Sequence, residues 1–285
     1  MHFRVAHTTR YIYNQPVFLE PHTLRLRPRS GPAQRLARFD LRIEPKPALV
    51  AEGIDQEGDP VSYAWFEGTT DSLLVHTEFE AETLRTNAFD YLLLEKRQGR
   101  LPLRYGREEK SRLISFLRRH SEQDSATAHF ASAIAEEAQN DTLRFLALLT
   151  ERIYRDWQVE VRHAGDPHPP HHTFRNRQGA CRDVAVLFME CCRLQGIAAR
   201  FVSGYQEGDA EADERYMHAW AEVFLPGGGW RGYDPTHGLA VADQHIAVAA
   251  AADPKSAAPM EGAIRGTGAV ARMEAEIKVE TSGDR

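Results

Sequence analysis

The sequence predicts an α+β protein in which a strand-rich first part precedes helices and a hairpin. Three observations predict this class. Apolar and polar residues alternate with period two through most of the first hundred residues, interrupted by Gly, Pro and Asp. Apolar residues then recur at helical spacing in several segments between residues 107 and 194. Alternation returns on both sides of the glycine-rich run at 226–229, which is typical of a hairpin.

The first hundred residues are predicted to form an antiparallel sheet or sandwich with one apolar face. Alternating segments begin at Phe3, Phe39, Val61 and Val75. Turn signals separate them, and Asn14-Gln15-Pro16 is expected to end the first strand because proline cannot donate to a ladder. No charged pair or histidine cluster here is typical of a catalytic site, so a packing or recognition role is favoured.

The pattern changes near residue 101, and we expect a domain boundary between Glu95 and Glu108. The sequence therefore predicts a β-rich region at 1–100 and a core at 101–285. Helices are expected over 107–120, 126–138 and 142–156, with Ser125 and Asn140-Asp141 as N-terminal caps of the last two.

Cys181 lies at the start of a predicted helix that is apolar nearly all round and stops at Gly196. In the first turn of a helix, unpaired backbone N–H groups and the helix dipole favour a thiolate. The sequence therefore predicts a reactive, fixed thiol at Cys181. The other two cysteines, Cys191 and Cys192, lie deeper in the same helix and are expected to be packing residues.

Two further segments supply an imidazole and a carboxylate. His218 and Trp220 lie on one face of a predicted strand, and Asp234 follows on the returning strand of the same hairpin. With 226–229 as the loop, Asp234 falls opposite Ala221, roughly 10 Å along the strand from His218, so their contact requires a bulge or a different turn. His237 and His245 remain alternative bases, although His218 is favoured.

The run GACRDVAVLFMECCRLQGIAARFVSGY, followed by HAWAEVFLPGGGWRGYDPTHG, resembles the core of the transglutaminase-like superfamily. The opening FRVAHTTRYIYNQPV…LRLRPR and the later DQHIAVAAAADPKSAAPMEGAIRG resemble the N-terminal and closing segments of its bacterial and archaeal two-domain members. The resemblance implies an N-terminal antiparallel β-sandwich-like domain and a papain-like core with helices packed on an antiparallel sheet. It also implies a catalytic triad of Cys181, His218 and Asp234. Met217 departs from the small or acidic residue that related sequences often carry there.

Other residues near these segments have weaker cases for a site role. Asp183 is as well explained by complementing the helix N-terminus as by a site role. Trp220 is more simply a packing residue than a wall of the site. The Cys181 backbone N–H is a natural oxyanion donor, and Trp157 and Gln158 are candidates for a second one.

No cofactor or metal is expected. The histidines at 163, 168, 171 and 172 lack a recognisable ligand spacing, although a metal hydrolase at this loop is a third reading that a chelator would test. No loop pattern for calcium is present. The remaining prediction is acyl transfer at an amide through a thioester, hydrolytic rather than crosslinking because water is always present. A non-catalytic peptide-binding module is the competing class.

Composition narrows the partners and the compartment. The chain has 285 residues, a net charge of −6 and three cysteines. The charge offers no footprint for nucleic acid, and no stretch approaches the ~18–20 apolar residues of a membrane helix. The first residues lack the apolar stretch of a signal peptide, and an odd cysteine count argues against a disulfide framework. We therefore expect a soluble, cytoplasmic protein that acts on a peptide or protein; its oligomeric state is not predicted.

Overall fold

The structure, a computed structural model, describes residues 1–93, 99–120, 125–208 and 216–283. Its first elements are β1 (His2–Leu19), β2 (His22–Leu24), β3 (Gln34–Glu44), β4 (Leu49–Ile54), β5 (Pro60–Trp65) and β6 (Thr69–Thr83). They are followed by α1 (Arg107–Arg112), a 3₁₀ turn (Ser115–Leu117), α2 (Ser125–Glu137), α3 (Thr142–Asp156), β7 (Gln158–Val159), α4 (Pro170–Asn176), β8 (Gln178–Gly179) and α5 (Cys181–Leu194). The chain continues with β9 (Ala199–Gln206), β10 (His218–Leu225), β11 (Gly229–Asp234), β12 (Leu239–Ala240), β13 (His245–Ala251), a 3₁₀ turn (Pro254–Ala257), β14 (Met260–Glu261), β15 (Ile264–Arg265) and β16 (Ala271–Ser282).

The N-terminal region consists of two antiparallel sheets that share an apolar cluster. One sheet has the order β15-β1-β6-β3 with β16 also paired to β1, and the other has the order β14-β2-β5-β4. Val17 and Leu73 from the first sheet are buried in one cluster with Leu24 and Ala64 from the second. The alternation in the sequence therefore has its expected cause, one apolar face per sheet, and the predicted β-rich N-terminal region is confirmed.

The first strand does not end at Asn14-Gln15-Pro16, as the sequence predicted. β1 runs to Leu19, and its pairing with β6 shifts register between Ile12 and Val17. Pro16 lies in this irregular stretch, where its missing N–H leaves the ladder intact on both sides. Proline therefore marks a bulge within one long strand rather than a turn between two.

The last strands of the chain return to the N-terminal sheets. β16 pairs with β1 from His2↔Ser282 to Tyr13↔Ala271, and the short β14 pairs with β2. The predicted division at residue 100 had placed these strands in the core segment 101–285. The alternation of apolar and polar residues indicates which face of a strand is buried, but it does not indicate which strand pairs with which. This long-range pairing could therefore not be predicted from the sequence pattern. The boundary itself falls partly on residues 94–98, which lie outside the described residues.

The core packs helices on a second antiparallel sheet, whose order is β12-β11-β10-β9-β13. Phe145 and Leu149 of α3, Leu187 and Phe188 of α5 and Val223 of β10 are fully buried in one cluster. This arrangement confirms the predicted α+β class. Helix α1 is shorter than the predicted 107–120 because none of its residues is buried, so no packing extends it. In the described part of the chain, no helix is long and apolar enough to cross a membrane.

The N-terminal region packs directly on the core sheet. Phe3 and Phe79 share a buried cluster with Tyr205 of β9 and Ile246 of β13. The Tyr205 hydroxyl also lies 2.8 Å from Nδ1 of His7 on β1. Because β9 lies between β13 and β10, which begins at His218, this contact braces the sheet that carries His218 and Asp234.

Asp59 ties the two parts together through a fully buried carboxylate. One of its oxygens accepts from Arg29, and the other accepts from the backbone N–H of Ala250 at 2.7 Å. Replacing Asp59 with alanine is expected to lower the free energy of unfolding by about 2–3 kcal/mol, because it leaves both donors poorly paired. Urea unfolding measures this loss. The matched control is Asp40→Ala, whose carboxylate and Arg38 partner are exposed, with an expected change below about 0.5 kcal/mol.

Candidate active site

Cys181 is the first residue of α5, and the local sequence fixes it there. Gly179 pairs with Val159 in a short parallel ladder, and Ala180 is the N-terminal cap of the helix. The ten consecutive residues 183–192 of α5 are buried, so the helix is held on every side. The thiol therefore projects from a rigid support, and the side chain keeps partial exposure while Cys191 and Cys192 are buried.

The β10–β11 hairpin brings His218 and Asp234 together with a register one residue different from the predicted one. Leu225 pairs with Gly229 and Ala221 pairs with Tyr233, so the turn has three residues and Gly229 begins β11. Continuing this register sets Asp234 level with Trp220, on the face that also carries His218. Their side chains are then diagonal neighbours, which are within reach of each other in an antiparallel pair. The predicted pairing of Asp234 with Ala221 would have put the carboxylate on the opposite face.

Cys181, His218 and Asp234 form one connected group. Nε2 of His218 lies 2.7 Å from Oδ2 of Asp234, and the His218 side chain also hydrogen-bonds the Cys181 thiol. Because Nε2 is engaged with the carboxylate, Nδ1 is the ring nitrogen left for the thiol. The structure therefore brings together all three residues that the resemblance implied, in the order thiol, imidazole, carboxylate.

The charges in this group stabilise a thiolate next to an imidazolium. Burial raises the pKa of the Cys181 thiol, but the hydrogen bond and charge of His218 outweigh burial, so the net pKa lies below its usual value. Burial opposes the His218 imidazolium too, yet the Asp234 charge and hydrogen bond, helped by Cys181, raise the pKa of His218 to about 10. Burial alone would raise the pKa of Asp234, whereas His218 and two further imidazoles hold that pKa well below its usual range.

Those two imidazoles belong to His237 and His245. Nδ1 of His237 lies 2.7 Å and Nε2 of His245 lies 2.9 Å from Oδ2 of Asp234, the same oxygen that contacts His218. A carboxylate oxygen only accepts, so each of the three nitrogens donates. The sequence had left both histidines as alternative bases. The structure places them on the carboxylate instead, and neither occupies the position of His218 between Asp234 and the thiol.

Asp183 anchors the loop that precedes α5. Its Oδ2 accepts from the backbone N–H of Ala180 at 2.8 Å, which satisfies one orphan donor at the helix start. Its Oδ1 accepts from Arg162 at 2.6 Å and from the backbone N–H of His168 at 2.7 Å. The carboxylate is fully buried. The structure therefore shows the capping role and a structural role in holding the segment 162–168, whereas a site role for Asp183 stays a prediction.

The remaining predicted pocket residues have different positions. Trp157 is buried against Phe130 and Phe174, and its indole N–H donates to the carbonyl of Thr173, so it is a core residue and not an oxyanion donor. Gln158 is exposed on β7, beside the strand that leads to Cys181, and its oxyanion role stays a prediction.

Trp220 packs against the imidazole rings of His218 and His245. Its ring is nearly parallel to that of His218, with centroids 6.1 Å apart, and meets the ring of His245 edge-on at 5.0 Å. It is 1% exposed, so it supports the imidazoles by packing and does not line an open cleft. Met217, the departure from related sequences, packs against the apolar clusters of the N-terminal region and so joins that region to His218.

Of the histidines at 163, 168, 171 and 172, three have ring contacts, and the ring of His163 meets that of Tyr216 with centroids 5.2 Å apart. Nε2 of His168 lies 3.1 Å from Arg162, and the rings of His168 and His172 meet edge-on with centroids 4.5 Å apart. Over the described residues, the ligand atoms that converge as a metal site would require are those of His218, Asp234, His237 and His245. Among the described residues, therefore, no cluster of ligands supports the alternative of a metal hydrolase whose site lies in the loop of these four histidines.

Fold and site together define a class of α+β proteins with a papain-like core and a thiol at the head of a buried helix beside an imidazole and a carboxylate. Residues 128–235 match the family model of the transglutaminase-like superfamily, and residues 3–82 match that of the bacterial transglutaminase-like N-terminal region. The chain belongs to the transglutaminase-like superfamily, whose members are usually cysteine enzymes. The resemblance found in the sequence is thereby confirmed.

Similar proteins include both characterised and uncharacterised chains. An uncharacterised protein of Mycobacterium tuberculosis is 26% identical over 92% of this chain and 87% of its own length. The protein-glutamine gamma-glutamyltransferase of Pseudomonas aeruginosa is 36% identical over 24% of this chain, but the match spans only 11% of that enzyme. A crystal structure of a Cytophaga hutchinsonii protein, proposed to be a cysteine protease, superposes with a TM-score of 0.69 at 18% identity and covers all of this chain and 92% of that one. That likeness shows a shared fold.

Proposed function

We propose that this protein is a cysteine-dependent enzyme that cleaves amide bonds in peptides or proteins through a thioester. The observation that carries the proposal is the connected group of Cys181, His218 and Asp234 at the head of α5. A thiolate nucleophile, an acid–base imidazole and an orienting carboxylate are the parts that covalent acyl transfer requires. The contacts of His218 with both Asp234 and Cys181 support a single reaction centre formed by the three side chains.

The first half of the reaction forms the thioester. The Cys181 thiolate attacks the carbonyl carbon, and the C=O electron pair moves to oxygen to give a tetrahedral oxyanion. The backbone N–H of Cys181 belongs to the first turn of α5, where amides lack intrahelical partners, and this supports it as our proposed donor to that oxyanion. The C–N bond then breaks, and the amine leaves with a proton donated by the His218 imidazolium.

The second half regenerates the thiolate. A water molecule gives a proton to the now neutral His218 and attacks the thioester carbon, and the C–S bond breaks to release a carboxylic acid. Asp234 holds the ring in one orientation and stabilises the imidazolium in both halves. A primary amine in place of water would give a new amide, which is the transamidation reaction. Hydrolysis is our proposal because water is always available, and nothing in the described residues marks an amine site.

Relatives point to both outcomes. The Cytophaga hutchinsonii neighbour is proposed to be a protease, whereas the Pseudomonas aeruginosa relative is a glutamyltransferase. The first likeness carries the fold only, and the second spans 11% of that enzyme, so neither decides the acceptor. The products of the reaction identify the acceptor. Glutamine- and asparagine-rich peptides are incubated with the enzyme, with and without a primary alkylamine. Mass spectrometry then distinguishes acid products from alkylamides. Acid products alone support hydrolysis, and alkylamides as the main products replace it with transamidation.

Iodoacetamide labelling near pH 7 distinguishes an activated Cys181 thiol from a module that binds peptides without chemistry. Cys181 is expected to react faster than a free thiol because its pKa is lowered, and faster than Cys192, whose pKa burial raises well above its usual value. Peptide mass mapping of the labelled chain over time gives the labelling rates of Cys181 and Cys192. Glutathione in the same tube provides the reference thiol. Labelling of Cys181 no faster than that of glutathione favours a module that binds peptides without chemistry.

A further inference from the structure

The ligand atoms of His218, Asp234, His237 and His245 all lie within 4.8 Å of one another. Three imidazole nitrogens and a carboxylate oxygen are ligands that Zn²⁺ and neighbouring divalent transition metals prefer, whereas Ca²⁺ and Mg²⁺ require oxygen. The acyl-transfer reaction uses only His218 and Asp234 of this group. The convergence of two further histidines on one oxygen therefore exceeds what a triad needs.

The distances suit coordination by three of the four residues. Oδ2 of Asp234 is 2.7 Å from Nε2 of His218 and 2.7 Å from Nδ1 of His237. Ligand atoms that hold a zinc ion at its usual bond lengths are about 3–3.4 Å apart. An opening of a few tenths of an ångström would therefore admit the ion between the two nitrogens and the oxygen.

His245 is suited to a supporting position rather than to a fourth ligand. It is 3% exposed, and its Nδ1 has no partner among the described residues. Coordination through Nε2 would move the proton to Nδ1 and create a buried, unpaired donor, which is unfavourable. If Nε2 keeps its proton, it continues to donate to Oδ2 at 2.9 Å, the kind of outer contact that orients a ligating carboxylate.

We propose that His218, His237 and Asp234 form a binding site for a divalent transition metal such as Zn²⁺, and that occupancy of this site inhibits the enzyme. Entry is open on the side of His237, whose side chain is 39% exposed. Coordination displaces the two protons that the ligating nitrogens share with Oδ2, and each passes to the other ring nitrogen or to the buffer. The His218–Asp234 hydrogen bond is then lost, so the imidazole can no longer be oriented as acid and base. The inhibitory effect, unlike the metal site, rests on the proposed function.

Binding is tested in the Cys181→Ala chain, which removes the thiol as a competing ligand. Co²⁺ is titrated at fixed pH and followed by its visible absorption, and Zn²⁺ is then added to displace it. One Co²⁺ per chain is expected. Adding His237→Ala is expected to weaken binding at least tenfold, and His237→Gln serves as a second variant that keeps a polar side chain. The control is His129→Ala, which removes an exposed histidine of α2 and is expected to leave binding unchanged.

The outcomes separate the metal site from the proposed function. Zn²⁺ that inhibits the wild-type enzyme, while the Cys181→Ala chain binds no Co²⁺, would mean that the metal acts on the thiol and would overturn the site. Equal binding with and without His237 would overturn it as well. Binding through His237 in a protein whose wild-type form shows no acyl transfer would leave the metal site standing and reject the proposed function.

Discussion

Replacing Cys181 with alanine is expected to lower amide-cleaving activity by at least about 10³-fold while leaving the fold intact. The thiol supplies the nucleophile, and nothing else in the connected group replaces it, because His218 and Asp234 act only through it. The residue is partly exposed at the end of a helix that is otherwise buried, so the missing sulfur leaves little cavity. Single-turnover and steady-state rates on the best peptide substrate measure the loss.

Serine at the same position sharpens this test. Serine keeps the size and the hydrogen bond to His218, but its hydroxyl has a far higher pKa than a thiol, so no comparable anion forms at neutral pH. Activity of Cys181→Ser is expected to be as low as that of the alanine variant or only slightly above it. Activity of either variant within tenfold of wild type would contradict a thiolate mechanism.

The same helix contains the matched controls. Cys191→Ala and Cys192→Ala each remove a sulfur from α5, but at sites that are fully buried and away from His218. Each is expected to lower the free energy of unfolding by roughly 1–2 kcal/mol through lost packing and to keep kcat within a few-fold. The comparison separates loss of a nucleophile from disturbance of the helix, since all three residues share one element.

The parts of the site that depend on local sequence were predictable. Cys181 at the start of a buried helix follows from Gly179-Ala180 and the apolar run behind it, and Gly196 ends that helix with a φ of +74°. The sequence also predicts a hairpin that carries His218 and Asp234. The register was missed by one residue because a run of three glycines does not say which of them ends the turn. Gly229, with a φ of +67°, begins β11 rather than lying in the loop.

The parts that depend on distant pairing were not predictable. His245 begins β13, which β9 and β10 separate from β11 in the sheet, yet its Nε2 lies 2.9 Å from Oδ2 of Asp234. His237 lies three residues after Asp234, in the turn where Oδ1 accepts from the backbone N–H groups of Thr236 and His237, so its contact is local. The spacing along the chain does not show the contact of His245. A family resemblance gave the triad, whereas the shared carboxylate oxygen required the three-dimensional structure.

Replacing Asp234 with asparagine is expected to lower kcat by about 10²–10⁴-fold with a smaller change in KM. Oδ2 accepts from three imidazoles, and an amide nitrogen at that position accepts from none of them. An amide oriented the other way offers its oxygen but turns its NH₂ group toward the backbone donors of Thr236 and His237. The ring of His218 therefore loses a fixed tautomer and orientation in either case.

The pH dependence distinguishes this electrostatic role from simple disruption. In the wild-type enzyme, activity should rise as the Cys181 thiol ionises, below the usual thiol pKa, and fall as His218 loses its proton near pH 10. The Asp234 charge is the main factor that raises the pKa of His218, so the alkaline limb of the Asp234→Asn profile should move to lower pH. The imidazolium in turn lowers the pKa of Cys181, so the acid limb should move to higher pH.

The expected result is thus a narrower bell, with both limbs displaced toward each other and the maximum reduced. Asp234→Glu keeps the charge on a longer side chain, so it should lose rate through geometry while retaining more of the width of the wild-type profile. Rates of kcat/KM between pH 5 and 11, with thermal unfolding of each variant as the check on folding, decide the question. An Asp234→Asn profile as wide as that of wild type would mean that the carboxylate holds the three imidazoles in place without setting the charge of the Cys181–His218 pair.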